Sequence, residues 1–111
     1  MYVDERRVAS ARKGLPDEAS LRGITELFGA LSDETRLRLL YALSREELCV
    51  CDLAKVAGRS IPAVSHQLSL LRRLGLVTYR NEGRLSYYRL LSDVVRELLN
   101  DAVRRGARTG S

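Results

Sequence analysis

Two cysteines separated by a single residue, Cys49 and Cys51, are the only thiols in the chain. Placed at the edge of a helix N-terminus, a pair at this spacing can point both sulfurs at one ion, and the positive end of the helix favours the thiolate form. Such soft ligands select soft ions: arsenite, antimonite, Cd(II), Pb(II) or Zn(II). Asp52 adds a candidate oxygen ligand, although its expected role is to cap the helix. The alternative is that both cysteines are small apolar residues packed against a helix start.

Arginines are concentrated in one segment of the chain. Residues 59–89 contain six arginines and one acidic residue, an excess of five positive charges that equals the net charge of +5 of the whole protein. A localised basic excess is typical of a surface that binds a polyanion such as DNA. The single histidine, His66, falls within this segment, so we expect it to contact a base or a phosphate rather than a metal.

The pattern of apolar and capping residues predicts the elements that must position these side chains. Helices are expected at 17–31, 33–43 (capped by Ser32), 52–57, 60–74 and 93–105, with a short extended segment at 46–50. Two β-prone runs, 76–80 and 85–90, flank Asn81-Glu82-Gly83, where the glycine favours a tight turn. Residues 1–16 show no sustained period and are expected to form a flexible N-terminal arm, and residues 106–111 a loose C-terminal tail. The folded domain is thus predicted to span 17–105.

The helix at 52–57, a turn at Gly58 and Arg59, and a helix that opens with Ser60 have the spacing of a helix-turn-helix. The second helix has a polar, partly basic side that suits the major groove of DNA. Its opposite, apolar side consists of Ile61, Val64, Leu68 and Leu71. The sequence therefore predicts a mainly α-helical fold with a small β-hairpin wing, a winged helix-turn-helix. The residues expected to bind DNA are Arg59, Ser60, Ser65, His66, Ser69, Arg72, Arg73, Arg80 and Arg84.

Composition limits the remaining classes of function. No apolar run approaches the length of about 18 residues that a membrane span needs, and the charged N-terminus does not resemble a signal peptide, so we expect a cytoplasmic protein. Two cysteines in such a protein argue against a disulfide framework, and one histidine without a nucleophile–base set argues against an enzyme. Two alternatives stay open. One is a DNA-binding protein whose cysteines sense oxidants through a sulfenate or mixed disulfide, and the other is a winged helix that binds protein instead of DNA.

Four segments of the chain contain motifs that, taken together and in this order, are characteristic. They are Leu31-Ser32-Asp33-Glu34-Thr35-Arg36-Leu37, Glu47-Leu48-Cys49-Val50-Cys51-Asp52-Leu53, Val64-Ser65-His66-Gln67-Leu68 and Gly83-Arg84-Leu85-Ser86-Tyr87-Tyr88-Arg89-Leu90. Together they resemble the ArsR/SmtB family of metal-sensing repressors over about residues 20–104. The resemblance implies a homodimer that binds an operator and releases it when an inducer is captured at the Cys-Val-Cys segment. It also implies that the first and last helices form the dimer interface, through Leu21, Ile24, Phe28, Val95, Leu98, Leu99 and Ala102.

The sequence departs from the thiol sensors of this family in two ways. Members that draw three thiols from one helix would have the third at position 54, where this sequence has alanine. Other members add cysteines from the N-terminal arm of the partner, and residues 1–16 of this sequence contain no cysteine. Water, a buffer thiol, or arm groups such as Asp4 or Glu5 are therefore expected to complete the coordination. Arsenite, with antimonite, is the first choice of inducer because two sulfurs and one oxygen satisfy its three-coordinate pyramid, and Cd(II) is close behind. A zinc site on the last helix is not expected, because Val95 stands where that site needs a histidine.

Overall fold

The computed structural model describes the backbone of residues 2–109 and the side chains of residues 2–106. The elements are α1 (Glu5–Lys13), α2 (Glu18–Leu31), α3 (Glu34–Leu43), β1 (Leu48–Cys49), α4 (Val50–Ala57), α5 (Ile61–Arg73), β2 (Val77–Glu82), β3 (Leu85–Leu90) and α6 (Asp93–Thr109). The expected fold class, mainly helical with a small hairpin, is confirmed. Within the described residues, no helix is both long and apolar enough to cross a bilayer.

Acidic caps start the first two helices of the folded domain. The Asp17 carboxylate accepts a hydrogen bond from the Ser20 N–H at 2.7 Å at the start of α2, and Asp33 accepts one from the Arg36 N–H at 2.9 Å at the start of α3. The prediction that Ser32 caps α3 is wrong. Ser32 instead ends α2, where both its backbone N–H and its hydroxyl donate to the Gly29 carbonyl, the hydroxyl at 2.7 Å.

Helix α4 begins two residues earlier than the sequence predicts. Its N-cap is Cys49, in extended conformation at φ −80° and ψ 167°, and no side chain caps the helix. The chain passes directly from strand β1 into the helix, so the expected role of Asp52 as the cap is wrong. Asp52 lies in the first helical turn, where a carboxylate interacts favourably with the positive end of the helix.

The helix-turn-helix is formed by α4 and α5. Gly58 ends α4 at φ 66°, a left-handed conformation that suits glycine, and the Ser60 hydroxyl accepts from the Ala63 N–H at 3.3 Å to start α5. Ile61 was expected in the core but is 48% exposed, because it lies at the first turn, beyond the edge of the core. The buried stripe of α5 consists of Val64, Leu68 and Leu71, as the spacing predicts.

A three-stranded antiparallel sheet in the order β1-β3-β2 adjoins this unit. Strands β2 and β3 form the wing. Glu82 pairs with Leu85, so the turn is Gly83-Arg84 instead of the expected 81–83, with Gly83 at φ 62°. Cys49 pairs with Tyr87 across the β1–β3 ladder. The wing is therefore hydrogen-bonded to the strand that leads into α4.

Helix α6 closes the core on its inner face. Val95 and Leu99 are 1% and 3% exposed and belong to the core cluster of the protomer, and the Tyr41 hydroxyl donates to the Leu99 carbonyl at 2.8 Å. Both side chains pack within the chain itself, and their expected place in a dimer interface stays a prediction. The apolar stripe of α6 is wide enough to supply both a buried inner edge and an exposed outer edge, and these residues lie on the inner edge.

The two ends of the chain are more helical than expected. Helix α1 forms within the 1–16 arm, starting at Asp4, whose carboxylate accepts from the Arg6 and Arg7 N–H groups, and it buries no residue. Its helicity therefore comes from capping and local propensity, not from packing. Helix α6 continues through 106–109, where a loose tail was expected, and residues 110–111 lie outside the described part of the chain.

Candidate functional site

The outer face of α5 is polar and open to solvent. Ser65, His66, Ser69 and Arg73 are all exposed on this face, opposite the buried stripe. Ser60 and Arg59 lie at its N-terminal end, where the positive end of the helix and the Arg59 guanidinium suit a phosphate. The sequence-predicted residues of α5 thus share one accessible surface.

Arg72 has a different environment from the rest of this set. Its guanidinium lies over the Tyr79 ring, 4.9 Å from the centroid, and the Tyr79 and Tyr88 rings are 5.3 Å apart. Burial raises the pKa of Tyr88 above its ordinary value, and the nearby Tyr79 contributes in the same direction. Arg72 therefore connects the C-terminal end of α5 to strand β2 of the wing. The spacing of residues along the helix does not predict this contact.

The two wing arginines also differ from one another. Arg80 forms ion pairs with Glu47 at 3.0 Å and Glu82 at 2.6 Å, and its guanidinium lies 5.0 Å from the centre of the Tyr87 ring. Hydrogen bonds to Glu82 and then to Glu47 raise the pKa of Arg80 further. Arg84 lies in the tip turn and has no carboxylate partner within the described residues. Arg84 is therefore the freer cation.

The two thiols lie at the start of α4 but in different surroundings. Cys49 is buried, at 7% exposure, whereas Cys51 is exposed, and neither forms a disulfide. The Cys49 Sγ donates to Asp52 Oδ2 at 3.3 Å. Among the described residues no group of three or more His, Cys, Asp or Glu side chains is placed to hold a metal ion. One protomer thus presents a thiol pair with an adjacent carboxylate, and not a completed metal cage.

The arm groups that were expected to complete this site have other contacts. Asp4 caps α1 and pairs with Arg7 at 3.5 Å, and Glu5 is exposed in the first turn of that helix. The structure does not bring either carboxylate into a cluster with the cysteines of the same protomer. Asp52 is the carboxylate that contacts a sulfur.

Exposed apolar side chains mark two further helices. Leu21, Ile24 and Phe28 on α2 are 45%, 40% and 56% exposed. On α6, Leu98 is half-buried and Ala102 is exposed. Two residues not among those expected at the interface are also exposed: Val94 on this helix at 61%, and Leu91, just before the helix begins, at 49%. Helices α2 and α6 therefore each present an apolar outer edge that the protomer does not cover.

The fold and these surfaces define a winged helix-turn-helix regulator with a thiol pair at the start of the helix-turn-helix. Residues 33–79 match the family model described as "Bacterial regulatory protein, arsR family". The chain is 42% identical over 102 residues to a "Cadmium resistance transcriptional regulatory protein CadC homolog" of Staphylococcus aureus, covering 91% of this chain and 84% of that protein. This protein belongs to the ArsR family, and it is a metal-responsive transcriptional repressor of the ArsR/SmtB type.

Two solved structures are similar to this protein in fold. The "AntR antimony-specific transcriptional repressor" superposes with a TM-score of 0.78 at 33% identity, covering 86% of this chain and 87% of that one. A "homodimeric winged helix-turn-helix DNA-binding domain" from Mycobacterium bovis superposes with a TM-score of 0.73 at 31% identity, covering 86% and 89%. The cadmium and antimony names favour metal sensing over the oxidant-sensing alternative.

Proposed function

We propose that this protein is a homodimeric repressor that leaves its operator when a soft ion binds Cys49 and Cys51. The inducer is arsenite or antimonite, or a soft divalent ion such as Cd(II). The main support for this proposal is the position of Cys49, which is both the last residue of β1 and the N-cap of α4. A change at this sulfur acts on the helix-turn-helix through α4 and on the wing through the Tyr87 pairing.

The chemistry of the thiol pair supports an ion of low coordination number. Two thiolates and one oxygen suit the pyramidal As(III) or Sb(III) ion, and Cd(II) adds water and a carboxylate. Asp52 is the oxygen donor nearest at hand, because it already accepts from the Cys49 thiol at 3.3 Å. Capture of Cd(II) releases the thiol proton to solvent. With As(OH)3 or Sb(OH)3, each new bond to sulfur displaces a hydroxide, which leaves with the thiol proton as water. Either exchange removes the hydrogen bond from Cys49 to Asp52 and changes the packing of the first turn of α4.

Two surfaces support the operator-binding half of the proposal. The exposed face of α5 enters the major groove, with Ser65 and His66 toward the bases, while Arg84 at the wing tip contacts a phosphate. The exposed apolar edges of α2 and α6 bring two copies together, so that the two α5 helices face successive turns of one side of the duplex. Such a dimer binds a pseudo-palindromic site.

A metal panel on the operator complex tests this function. The probe is a duplex enriched by the wild-type protein from a random-sequence library, and the ions are arsenite, antimonite, Cd(II), Pb(II) and Zn(II). We expect arsenite or Cd(II) to weaken operator binding over a hundredfold, a coupling of about 3 kcal/mol. By reciprocity, the operator must weaken the binding of the same ion by the same factor. Release by none of the five ions would contradict the proposal.

A further inference from the structure

Arg36 connects the end of helix α2 to helix α5. Its Nε donates to the Ala30 carbonyl at 2.9 Å and its Nη2 to the Gly29 carbonyl at 3.3 Å, both in the last turn of α2. Its Nη1 donates to Gln67 Oε1 at 3.2 Å, a contact between residues 31 positions apart. One guanidinium thus satisfies helix-end carbonyls on one element and an amide on another.

The chemistry of both side chains makes this contact directional. A guanidinium only donates, so the Gln67 amide must turn its oxygen toward Arg36 and its two N–H groups away from it. Gln67 is half-buried on α5, between the exposed His66 and the buried Leu68. The bond therefore fixes the rotation of α5 at the boundary between its buried stripe and its exposed face.

We infer that Arg36 is a positioning residue that sets the relation between the dimer helix α2 and the DNA-binding helix α5. This inference rests on the proposed function, since it assigns α2 to the dimer and α5 to the operator. In such a dimer, the spacing of the two α5 helices depends on how firmly each is held to its own α2. From its position on α3, the Arg36 side chain bridges these two elements by hydrogen bonds to each, whereas the packing contacts run from α2 through α3 and α4.

The hydrogen bond between Arg36 and Gln67 also joins elements that we expect to move when the inducer binds. Helix α4, which begins with the thiol site, packs between α3 and α5. A movement of α4 that carries α5 with it must stretch the contact between Gln67 on α5 and Arg36 on α3. The planar fork of arginine makes this a defined restraint that the single ammonium of lysine cannot reproduce.

The test measures the ratio of affinities for two duplexes. One contains both half-sites of the selected operator, and the other has one half-site scrambled. Arg36→Lys and Gln67→Met are expected to lower this ratio about tenfold while leaving single half-site binding within about twofold, within the range of mutational effects on coupling. Gln67→Glu keeps an acceptor for Arg36 and is expected to retain the wild-type ratio. Arg38→Lys is the matched control, because Arg38 donates to Ala57 O and Glu34 and contacts neither α2 nor α5 by hydrogen bonds.

The outcomes separate this inference from the proposed function. A wild-type protein that does not distinguish the two duplexes contradicts the proposed function itself. A wild type that distinguishes them, with unchanged ratios in Arg36→Lys and Gln67→Met, overturns the role of Arg36 alone. An equal loss of affinity on both duplexes also overturns it, because that pattern indicates general damage to the fold. Should Arg36→Lys not fold, the two Gln67 variants decide, since they keep the bonds from Arg36 to α2.

Discussion

The Cys49 thiol and the Asp52 carboxylate are hydrogen-bonded at 3.3 Å in the first turn of α4. The sulfur that is expected to bind an inducer is therefore already held by an oxygen that can share the ion. Cys51, which directly precedes Asp52 in sequence, is exposed and has no such contact in the described structure. This asymmetry suggests an order of events in which Cys51 meets the ion first and Cys49 then exchanges its proton for the ion.

Alkylation rates of the two thiols test that asymmetry. We expect iodoacetamide to modify Cys51 faster than Cys49, because Cys49 is buried and Cys51 is exposed. Peptide mass mapping over time gives both rates in one sample, and prior addition of Cd(II) is expected to protect both thiols. Faster modification of Cys49 would show that the start of α4 is more open than this structure has it.

The turn of the helix-turn-helix depends on the backbone freedom of Gly58. Gly58→Ala is expected to lower the free energy of unfolding by about 1–2 kcal/mol, because a left-handed conformation is unfavourable for any residue with a Cβ. The cost is conformational alone, since no atom beyond residues 57–59 lies within 4 Å of the added methyl group. Denaturant unfolding measures the change.

Gly23→Ala in α2 is the matched control for that substitution. Beyond the adjacent residues and the backbone of its own helix, no atom lies within 4 Å of its added Cβ either, and Gly23 has no positive φ. This variant is expected to raise the free energy of unfolding by about 0.5–1 kcal/mol, the usual gain of alanine over glycine within a helix. If both variants shift stability in the same direction, the backbone explanation for Gly58 fails.

The contrast between the wing arginines makes a prediction about salt. Arg84→Ala is expected to reduce the slope of log affinity against log salt by about one for each protomer that contacts the duplex. Arg80→Ala should change that slope less, because its guanidinium pairs with Glu47 and Glu82. Operator binding measured over a series of salt concentrations checks this. A larger change of slope for Arg80→Ala would mean that Arg80 leaves its carboxylates when DNA binds.

The Asp17 cap predicts a pH dependence of stability. Hydrogen bonds from Ser20 lower the pKa of Asp17, so its stabilising effect is present above its unfolded pKa of about 3.9 and is lost as the pH falls through the lower folded value. Asp17→Asn keeps a capping oxygen but does not titrate. Wild type should therefore have the higher Tm at pH 7, and the difference should shrink below about pH 4. If the difference in Tm between the two proteins stays constant down to pH 2, the charge of Asp17 does not contribute to the stability of the protein.

Local signals along the sequence were sufficient for much of the fold. The spacing of Val64, Leu68 and Leu71 identified the buried side of α5, and Ser60 and Gly58 marked its start and the preceding helix end. These signals work because caps and helical periodicity depend on residues within a turn or two. They failed at α4, whose N-cap Cys49 makes no side-chain capping bond, and at Ser32 and Asp33, two adjacent residues that both cap well.

The spacing of residues along the sequence could not predict the contacts that distinguish one arginine from another. Arg36 meets Gln67 and Arg80 meets Glu47 only after the chain has folded back over 31 and 33 residues. Arg72 was assigned to DNA because it lies on the polar side of α5, yet its guanidinium lies over Tyr79. A pair of tyrosines on neighbouring strands was the available hint of an aromatic surface next to α5. Periodicity gives the face of a helix, but it does not give the partner of that face.

In the proposed mechanism, an ion held by Cys49 and Cys51 weakens the binding of DNA. Its most direct test is the operator affinity of wild type and of the Cys49→Ser/Cys51→Ser double variant, measured by fluorescence anisotropy with and without saturating arsenite or Cd(II). Wild type is expected to lose over a hundredfold in affinity, about 3 kcal/mol of coupling, and the double variant to bind equally well in both conditions. An equal response of the two proteins would show that the ion does not act through these cysteines.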